Sequence, residues 1–376
     1  MIVKRLNIAS IPQAIQSMGT DTMGQKIMSK KAQILAFEIR NLSFEAANIL
    51  KQEALSVGGE CATPRGTITH KGEHIALLFG TQAQFAKLLP KLALQPFGLK
   101  SLKKTLESHL RPFHHTPEIM AIVNVTPDSF YAASRQSPQS AIHRICSLLE
   151  KDITYIDVGA ASSRPGSELL DSQEEIARLK PVVEYIVSHH LYDKKCFSID
   201  TYNPKTADYA LCNGFSIIND VSGFSHNDMA KICAKHKARA ILMHTKGTPK
   251  IMQNLTHTYT HLFDEIDRFF IDKIATFKDA GVEDIVLDIG FGFAKNKELN
   301  LALIKHLSHF LHFGLPLLVG ASRKNTIGEI TGKEAEERLS GTLALHLYAL
   351  QNGASILRAH DEDAHIDMLK IHKAMQ

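Results

Sequence analysis

The sequence predicts a (β/α)8 barrel of the TIM type preceded by a small α/β domain, and three observations carry that prediction. From residue 117 onward, apolar strand-like runs alternate with amphipathic helical stretches. Eight such strand and helix pairs fill about 260 residues, the size of one barrel. Each run also ends on polar residues, and barrel enzymes assemble their active sites at the C-terminal ends of the strands. The domains are therefore placed at 1–110 and 117–376. A doubly wound open sheet is the alternative. It usually shows a glycine-rich turn after its first strand, whereas here that turn reads Asn-Val-Thr-Pro-Asp at 124–128.

Composition bounds the function. The chain has 376 residues, 44% hydrophobic and 22% charged, so it can bury a sizeable core. Its 43 Lys+Arg against 39 Asp+Glu leave a net charge of only +4, and no long run of one sign occurs. Binding of nucleic acid or of a membrane through bulk charge is not indicated. No apolar run reaches membrane-spanning length, and the N-terminus lacks a signal-peptide pattern. Five cysteines lie scattered without C-x-x-C spacing and are expected to be buried free thiols of a cytoplasmic protein.

In the first domain, residues 43–55 have helical periodicity with an acidic residue near the start. Two strands are expected at 66–70 and 73–79, and a helix at 82–89 is expected to stop at Pro90. Residues 96–110 form a plausible helical connector. Cys61, near Pro64 and Arg65, is expected to be a buried thiol rather than a reactive one. Barrel strands are expected at 119–123, 153–158, 196–200, 216–220, 239–243, 284–288, 316–321 and 355–359. The first is continuously apolar, as suits a strand buried on both faces. Helices include 173–189, 262–280 and 335–351.

The strand ends supply the candidate site. In order they give Asn124; Asp157, followed by Ser163, Arg164 and Pro165; Asp200; Asn219; and His244. The last three give Asp288 with Gly290-Phe-Gly-Phe293 and Lys295, then Ser322-Arg323-Lys324, then Arg358 and His360. Asp200, Asn219 and Asp288 suit a flat heterocycle whose edge presents adjacent N–H donors, because a carboxylate accepts two parallel bonds from an amidine-like edge. Arg358, His360 and Asn124 suit an oxyanion such as phosphate. A Mg²⁺ held mainly by phosphates needs only one protein oxygen. No cluster of His, Cys, Asp or Glu has the spacing of a closed zinc site.

Together these stretches resemble the dihydropteroate synthases. The matching segments are Asn-Val-Thr-Pro-Asp-Ser-Phe at 124–130, Ser-Arg-Pro-Gly at 163–166, Ser-Ile-Asp-Thr-Tyr at 198–202 and Ile-Asn-Asp-Val-Ser-Gly at 218–223. They continue with Leu-Met-His at 242–244, Leu-Asp-Ile-Gly-Phe-Gly-Phe at 287–293, Gly-Ala-Ser-Arg-Lys at 320–324 and Leu-Arg-Ala-His-Asp at 357–361. The resemblance implies condensation of (7,8-dihydropterin-6-yl)methyl diphosphate with 4-aminobenzoate, giving 7,8-dihydropteroate and diphosphate with Mg²⁺. It also implies Asp200, Asn219, Asp288 and Lys324 on the pterin, Asn124 on Mg²⁺ beside the diphosphate, and Arg358 and His360 on the diphosphate. Ser163, Arg164, Pro165, Phe293, Lys324 and Asn325 would surround the aminobenzoate. Asp200, Lys324, Arg358 and His360 would be catalytic, sulfonamides would inhibit, and the family commonly forms homodimers through barrel helices.

The chain departs from the family pattern at several points. Tyr131-Ala-Ala-Ser134 stands where Ser-Asp-Gly-Gly is usual, and Gly159-Ala160-Ala161 where Gly-Gly-Glu is common. Ser163, Ile289 and Asn325 replace a common Thr, Pro and Ser. Two other readings share the barrel: a pterin-binding methyltransferase domain, expected to lack the Ser-Arg-Lys and Arg-x-His elements, and a non-catalytic barrel, expected to have lost ligands at its mouth. Residues 1–110 lie outside the resemblance.

Overall fold

The structure, a computed structural model, describes residues 1–125, 138–160, 170–247 and 250–375. The chain divides into two compact units, Met1–Pro112 and Phe113–Gln376.

The first unit runs α1 (Ile11–Ser17), α2 (Thr22–Ala32), β1 (Ile34–Leu42), α3 (Phe44–Ser56), β2 (Glu60–Ala62), β3 (His74–Thr81), α4 (Gln82–Leu92) and α5 (Leu99–His109). Its strands form an antiparallel sheet in the order β1-β3-β2. Period-two alternation sets the faces: Ala76 and Leu78 of β3 are buried while Ile75 and Leu77 are exposed. Leu50, Phe85, Leu92 and Leu99 fill the core beneath. Ser43 caps α3 by accepting from the Ala46 N–H, and Thr81 with Gln84 makes a capping box at α4.

Two expectations fail in this unit. Residues 66–70 are not a strand. Gly66 has φ +86°, and the Thr67 hydroxyl bonds the Pro64 carbonyl at 2.8 Å, so β-branched residues there satisfy a turn locally. The strands paired with β3 are β1 and β2, both earlier in the chain. Pro90 does not stop α4, which runs on to Leu92. Lying in the last turn, the proline forfeits one bond, and Leu89 still accepts from the Ala93 N–H at 3.1 Å.

The second unit is a closed barrel of eight parallel strands, as the sequence predicts. It runs β4 (Glu118–Asn124), α6 (Pro138–Leu149), β5 (Tyr155–Gly159), α7 (Ser172–Ser188), β6 (Cys196–Asp200) and α8 (Pro204–Cys212). Next come β7 (Ile217–Asp220), α9 (Asp228–His236), β8 (Arg239–Met243), α10 (Leu262–Asp279), β9 (Ile285–Asp288) and α11 (Lys297–Lys305). The last elements are β10 (Leu317–Val319), α12 (Asn325–Thr331), α13 (Leu339–Gln351), β11 (Ile356–Ala359) and α14 (Glu362–Ala374). The helix expected over 335–351 begins later, because Ala335–Glu337 forms a separate 3₁₀ turn before α13.

Alternation along the strands decides what lines the barrel. Met120, Tyr155, Ile217, Ile241, Val286, Leu318 and Ile356 make one apolar cluster, contributed by seven strands. Two residues further along those strands the same face carries Ile122, Asp157, Asn219, Met243, Asp288, Gly320 and Arg358. A polar layer thus rests directly on an apolar floor. The other strand face packs against the helices, with Ile119, Val123, Ile156 and Leu357 in the large outer core.

All five cysteines are free thiols, but only Cys61 and Cys233 are buried; Cys196 and Cys212 are exposed, contrary to expectation. Burial pushes the Cys61 thiol up to about 11, so it is not a nucleophile near neutrality.

Candidate active site

Arg358 is the hub of the polar layer. Its Nε donates to Asp157 Oδ2 at 2.7 Å and its Nη2 to Asp200 Oδ2 at 2.6 Å, and Asn219 Nδ2 also donates to Asp157 Oδ2 at 2.9 Å. These bonds link β11, β5, β6 and β7 across the barrel interior. Burial opposes the charge on Arg358, but the two carboxylates overcome it and hold the guanidinium more firmly protonated. Burial pushes the Asp200 carboxyl up to about 7 against the pull of Arg358. Two acceptors in this layer, Asp157 Oδ1 and Asn219 Oδ1, are buried without a hydrogen-bond partner. Unmet buried acceptors are costly, and a ligand offering N–H donors would satisfy them.

Asp288, at the end of β9, accepts from the Gly290 N–H at 2.7 Å. Burial raises its carboxyl pKa, and nearby Lys324 opposes the rise. The turn requires glycine. Gly290 has φ +65°, and a Cβ there would lie 1.8 Å from the His244 carbonyl oxygen. Lys295 is buried with its Nζ donating to the carbonyls of Gly290 and Phe293, both at 3.0 Å, and burial lowers it to about 7. Lys324 donates to the Phe291 carbonyl and sits 4.3 Å from the centroid of the Phe293 ring. Burial lowers it to about 8. His244 is buried and burial holds it well below its usual range, so it is neutral.

His360 is also neutral, lowered to about 3 by burial and then by Arg358. Its Nδ1 shares a 3.0 Å hydrogen bond with Ser322 Oγ. Arg323 is committed elsewhere, with Nε donating to Asp361 Oδ2 at 2.9 Å. Behind this turn lies a relay of fixed direction. The Ala321 N–H donates to His346 Nε2 at 3.1 Å, so the His346 proton sits on Nδ1 and is given to His365 Nε2 at 2.8 Å. His365 Nδ1 in turn bonds the Asp361 carbonyl at 2.7 Å.

The residues singled out from the sequence therefore separate into groups. Asp200 meets Arg358 directly and Asn219 joins them through Asp157, while Asp288, Lys324 and Phe293 share the β9–β10 side. Asn124 ends β4 beside Gly159 of β5, half-buried, and its amide has no hydrogen-bond partner among the described residues. A single hard oxygen placed there fits a Mg²⁺ ion that takes its other ligands from phosphate and water. Asn325 is exposed, and its Oδ1 accepts from Arg338 Nη1 at 3.1 Å. Ser163, Arg164 and Pro165, with Thr126 to Ser134 of the first loop, lie outside the described residues.

Asp157 and Lys295 stand among the strand-end candidates of the sequence without an assigned role, and Glu175 is not among them. Asp157 carries a signal, a lone acid inside an apolar strand and in phase with the inward Tyr155. Glu175 does not, because a glutamate in the first turn of a helix reads as solvent-facing. It is fully buried, and its Oε2 accepts from Thr201 Oγ1, Asn203 Nδ2 and Thr206 Oγ1 at 3.0, 2.7 and 2.7 Å. It thereby fixes the chain leaving Asp200.

The sequence matches the family described as pterin binding enzyme over residues 120–360. The bifunctional dihydropteroate synthase/dihydropteroate reductase of Helicobacter pylori is 53% identical over 100% of this chain and 99% of its own. The dihydropteroate synthase of Escherichia coli is 38% identical over 69% of this chain and 91% of its own. Among solved structures, the Yersinia pestis dihydropteroate synthase in a sulfonamide drug complex superposes with TM-score 0.65 at 34% identity, covering 69% of this chain and 94% of that one. The Thermus thermophilus enzyme in complex with 4-aminobenzoate gives TM-score 0.61 at 34% identity, covering 69% and 95%. On the strength of this sequence match, the closed barrel and the polar layer at its strand ends, the chain belongs to the pterin-binding enzyme family, among the dihydropteroate synthases.

Proposed function

We propose that the barrel unit joins (7,8-dihydropterin-6-yl)methyl diphosphate to 4-aminobenzoate. The arylamine nitrogen forms the new C–N bond, the C–O bond to diphosphate breaks, and the nitrogen loses a proton. The observation that carries this reading is the buried polar layer, with two unmet acceptors, Asp157 Oδ1 and Asn219 Oδ1, beside the Arg358 cation. Asp288, Asn219 and Asp200 accept from the N–H edge of the pterin, and Lys324 borders both the pterin and the aminobenzoate ring against Phe293. Arg358 supplies charge to the diphosphate. His360, being neutral, supplies a hydrogen bond without charge. Ser163, Arg164, Pro165 and Asn325 are assigned to the aminobenzoate by family resemblance. Asn124 would hold Mg²⁺ through one oxygen, and the ion, when bound, would supply charge neutralisation for the departing diphosphate. An arylamine is uncharged near neutrality, so the nucleophile needs little general-base help.

Diphosphate release by the purified chain tests the reading, with pterin diphosphate, Mg²⁺ and 4-aminobenzoate each omitted in turn. Release that needs all three is expected. Tight pterin binding without release would instead favour a methyltransferase-like or non-catalytic barrel. Sulfonamides are expected to compete with 4-aminobenzoate.

A second reading concerns the first unit. The Escherichia coli synthase aligns with 69% of this chain, whereas the bifunctional relative aligns with all of it, including Met1–Pro112. This full-length match supports a second activity, reduction of dihydropteroate to tetrahydropteroate by a hydride and a proton. Formation of tetrahydropteroate from dihydropteroate, with reduced nicotinamide or reduced flavin as hydride source, tests it; no product with either donor would exclude it.

No helix among the described residues is long and apolar enough to cross a membrane. The five free thiols support a reducing cytoplasmic location. The exposed Ile330, Tyr348 and Ile371 on α12, α13 and α14 support assembly as a homodimer, testable by sedimentation.

A further inference from the structure

Outside the barrel mouth, one cluster has the make-up of a metal site. The 3₁₀ helix Leu307–Phe313 precedes β10, and with three residues per turn it eclipses side chains at i and i+3. His309 and His312 therefore emerge on one edge, and that edge faces Asp267 of α10. His309 Nε2 lies 3.0 Å from Asp267 Oδ2, and His312 Nε2 lies 3.2 Å from Asp267 Oδ1. Each of the three residues offers a ligand atom within 4.8 Å of the others. Ligands about 2.0–2.2 Å from a tetrahedral zinc ion stand about 3.3 Å apart, so small side-chain shifts suffice to admit the ion.

The surroundings fix these rings. Phe263, one turn before Asp267, meets the His309 ring at 5.2 Å between centroids, and Phe313 lies 4.0 Å from the His312 ring. Burial alone would raise the Asp267 carboxyl, but hydrogen bonds from the two histidines hold it at about 2, so it is a carboxylate near neutrality. No lysine or arginine pairs with Asp267 among the described residues. A second cluster, Asp208, Cys212 and His236, differs on this point, because Lys235 Nζ already occupies Asp208 Oδ1 at 2.8 Å.

We propose that Asp267, His309 and His312 bind a divalent transition-metal ion of the zinc class, separate from the Mg²⁺ of the reaction. Two imidazoles and one carboxylate are borderline donors that select such an ion over Mg²⁺, and water completes the tetrahedron. The ion ties α10 to the segment entering β10, beyond which lies Lys324. Its role is to hold that segment in place.

The test is calorimetric titration of the chelator-treated full chain with Zn²⁺, alongside thermal unfolding and the visible spectrum after Co²⁺ substitution. Expected are one saturable equivalent at this site, a higher Tm with the ion, and the intense visible bands of tetrahedral Co²⁺. His309→Gln, His312→Gln and Asp267→Asn should each weaken binding at least tenfold, while Cys212→Ser leaves it unchanged. Diphosphate release by each metal-free variant checks folding, and the Asp267→Asn variant, which keeps an acceptor oxygen, serves if a histidine variant does not fold. Absence of saturable Zn²⁺ uptake, uptake indifferent to His309, His312 and Asp267, or loss of uptake in Cys212→Ser would each overturn the proposal.

Discussion

Arg358 and Asp200 form a 2.6 Å ion pair inside the barrel, and the same guanidinium also holds the Asp157 carboxylate on β5, the strand next to that of Asp200. One planar cation thereby sets the position of two carboxylates, which a lysine ammonium cannot do with the same geometry. Arg358→Ala should leave buried carboxylates uncompensated and destabilise the barrel by about 3–5 kcal/mol in urea unfolding. Arg358→Lys should fold better, yet raise KM for the pterin diphosphate more than KM for 4-aminobenzoate. Equal rises for both substrates would contradict the placement of Arg358 on the diphosphate.

Glu175 acts at one remove from Asp200. With all three of its donors deprived of their acceptor, Glu175→Ala should cost about 2–3 kcal/mol of stability. Burial already raises its carboxyl pKa, so Glu175→Gln should be tolerated better. Pterin affinity, read by fluorescence titration, should fall in the alanine variant and largely return in the glutamine one. No difference between the two would mean that the carboxylate does not organise the chain beyond Asp200.

The His346–His365 relay makes the turn before Lys324 sensitive to acid. Burial holds both rings below their usual pKa, His346 strongly so, whereas in the unfolded chain they titrate near 6.5. Their contribution to stability is thus fully present above pH ~6.5 and is lost as pH falls below it, by about 1.4 kcal/mol per pH unit for a ring that stays neutral. The raised carboxyl of Asp200 acts in the opposite sense, but this cancels when wild type is compared with a variant. His346→Gln should therefore be less stable than wild type at pH 7.5 and should close part of that gap by pH 5.5. A gap independent of pH would show that His346 is not neutral in the fold.

Gly290 leaves no room for a side chain. Gly290→Ala would press a methyl against the His244 carbonyl at a positive φ. It should displace the turn that bonds Asp288, with a loss of pterin affinity of at least tenfold and a lower Tm. Wild-type affinity in this variant would remove Asp288 from the pterin site.

The barrel and most of its mouth were legible because strands buried on both faces are apolar without interruption, so a polar residue at the end of each stands out. Asn219 and Asp288 are visible in that way. The Asp157–Arg358 bond is not, because it joins residues far apart in sequence and exists only once the sheet closes. Glu175 hides in a helical pattern that normally faces water, and the His309–Asp267 contact likewise depends on closure. In the first unit, local hydrogen bonding overrode residue preference: Thr67 and Thr69 look like strand residues, yet their hydroxyls bond backbone carbonyls of the turn.

The seven-residue apolar floor has a consequence for the order of events. A cup stoppered at one end has a single door. On the function proposed above, a flat ring seated among Asp200, Asn219 and Asp288 would have to enter before anything that rests above it, and it would not depart until that second guest had gone or been joined to it. Condensation would turn the two guests into one, and on that placement the product would withdraw tail first through the way its halves came in.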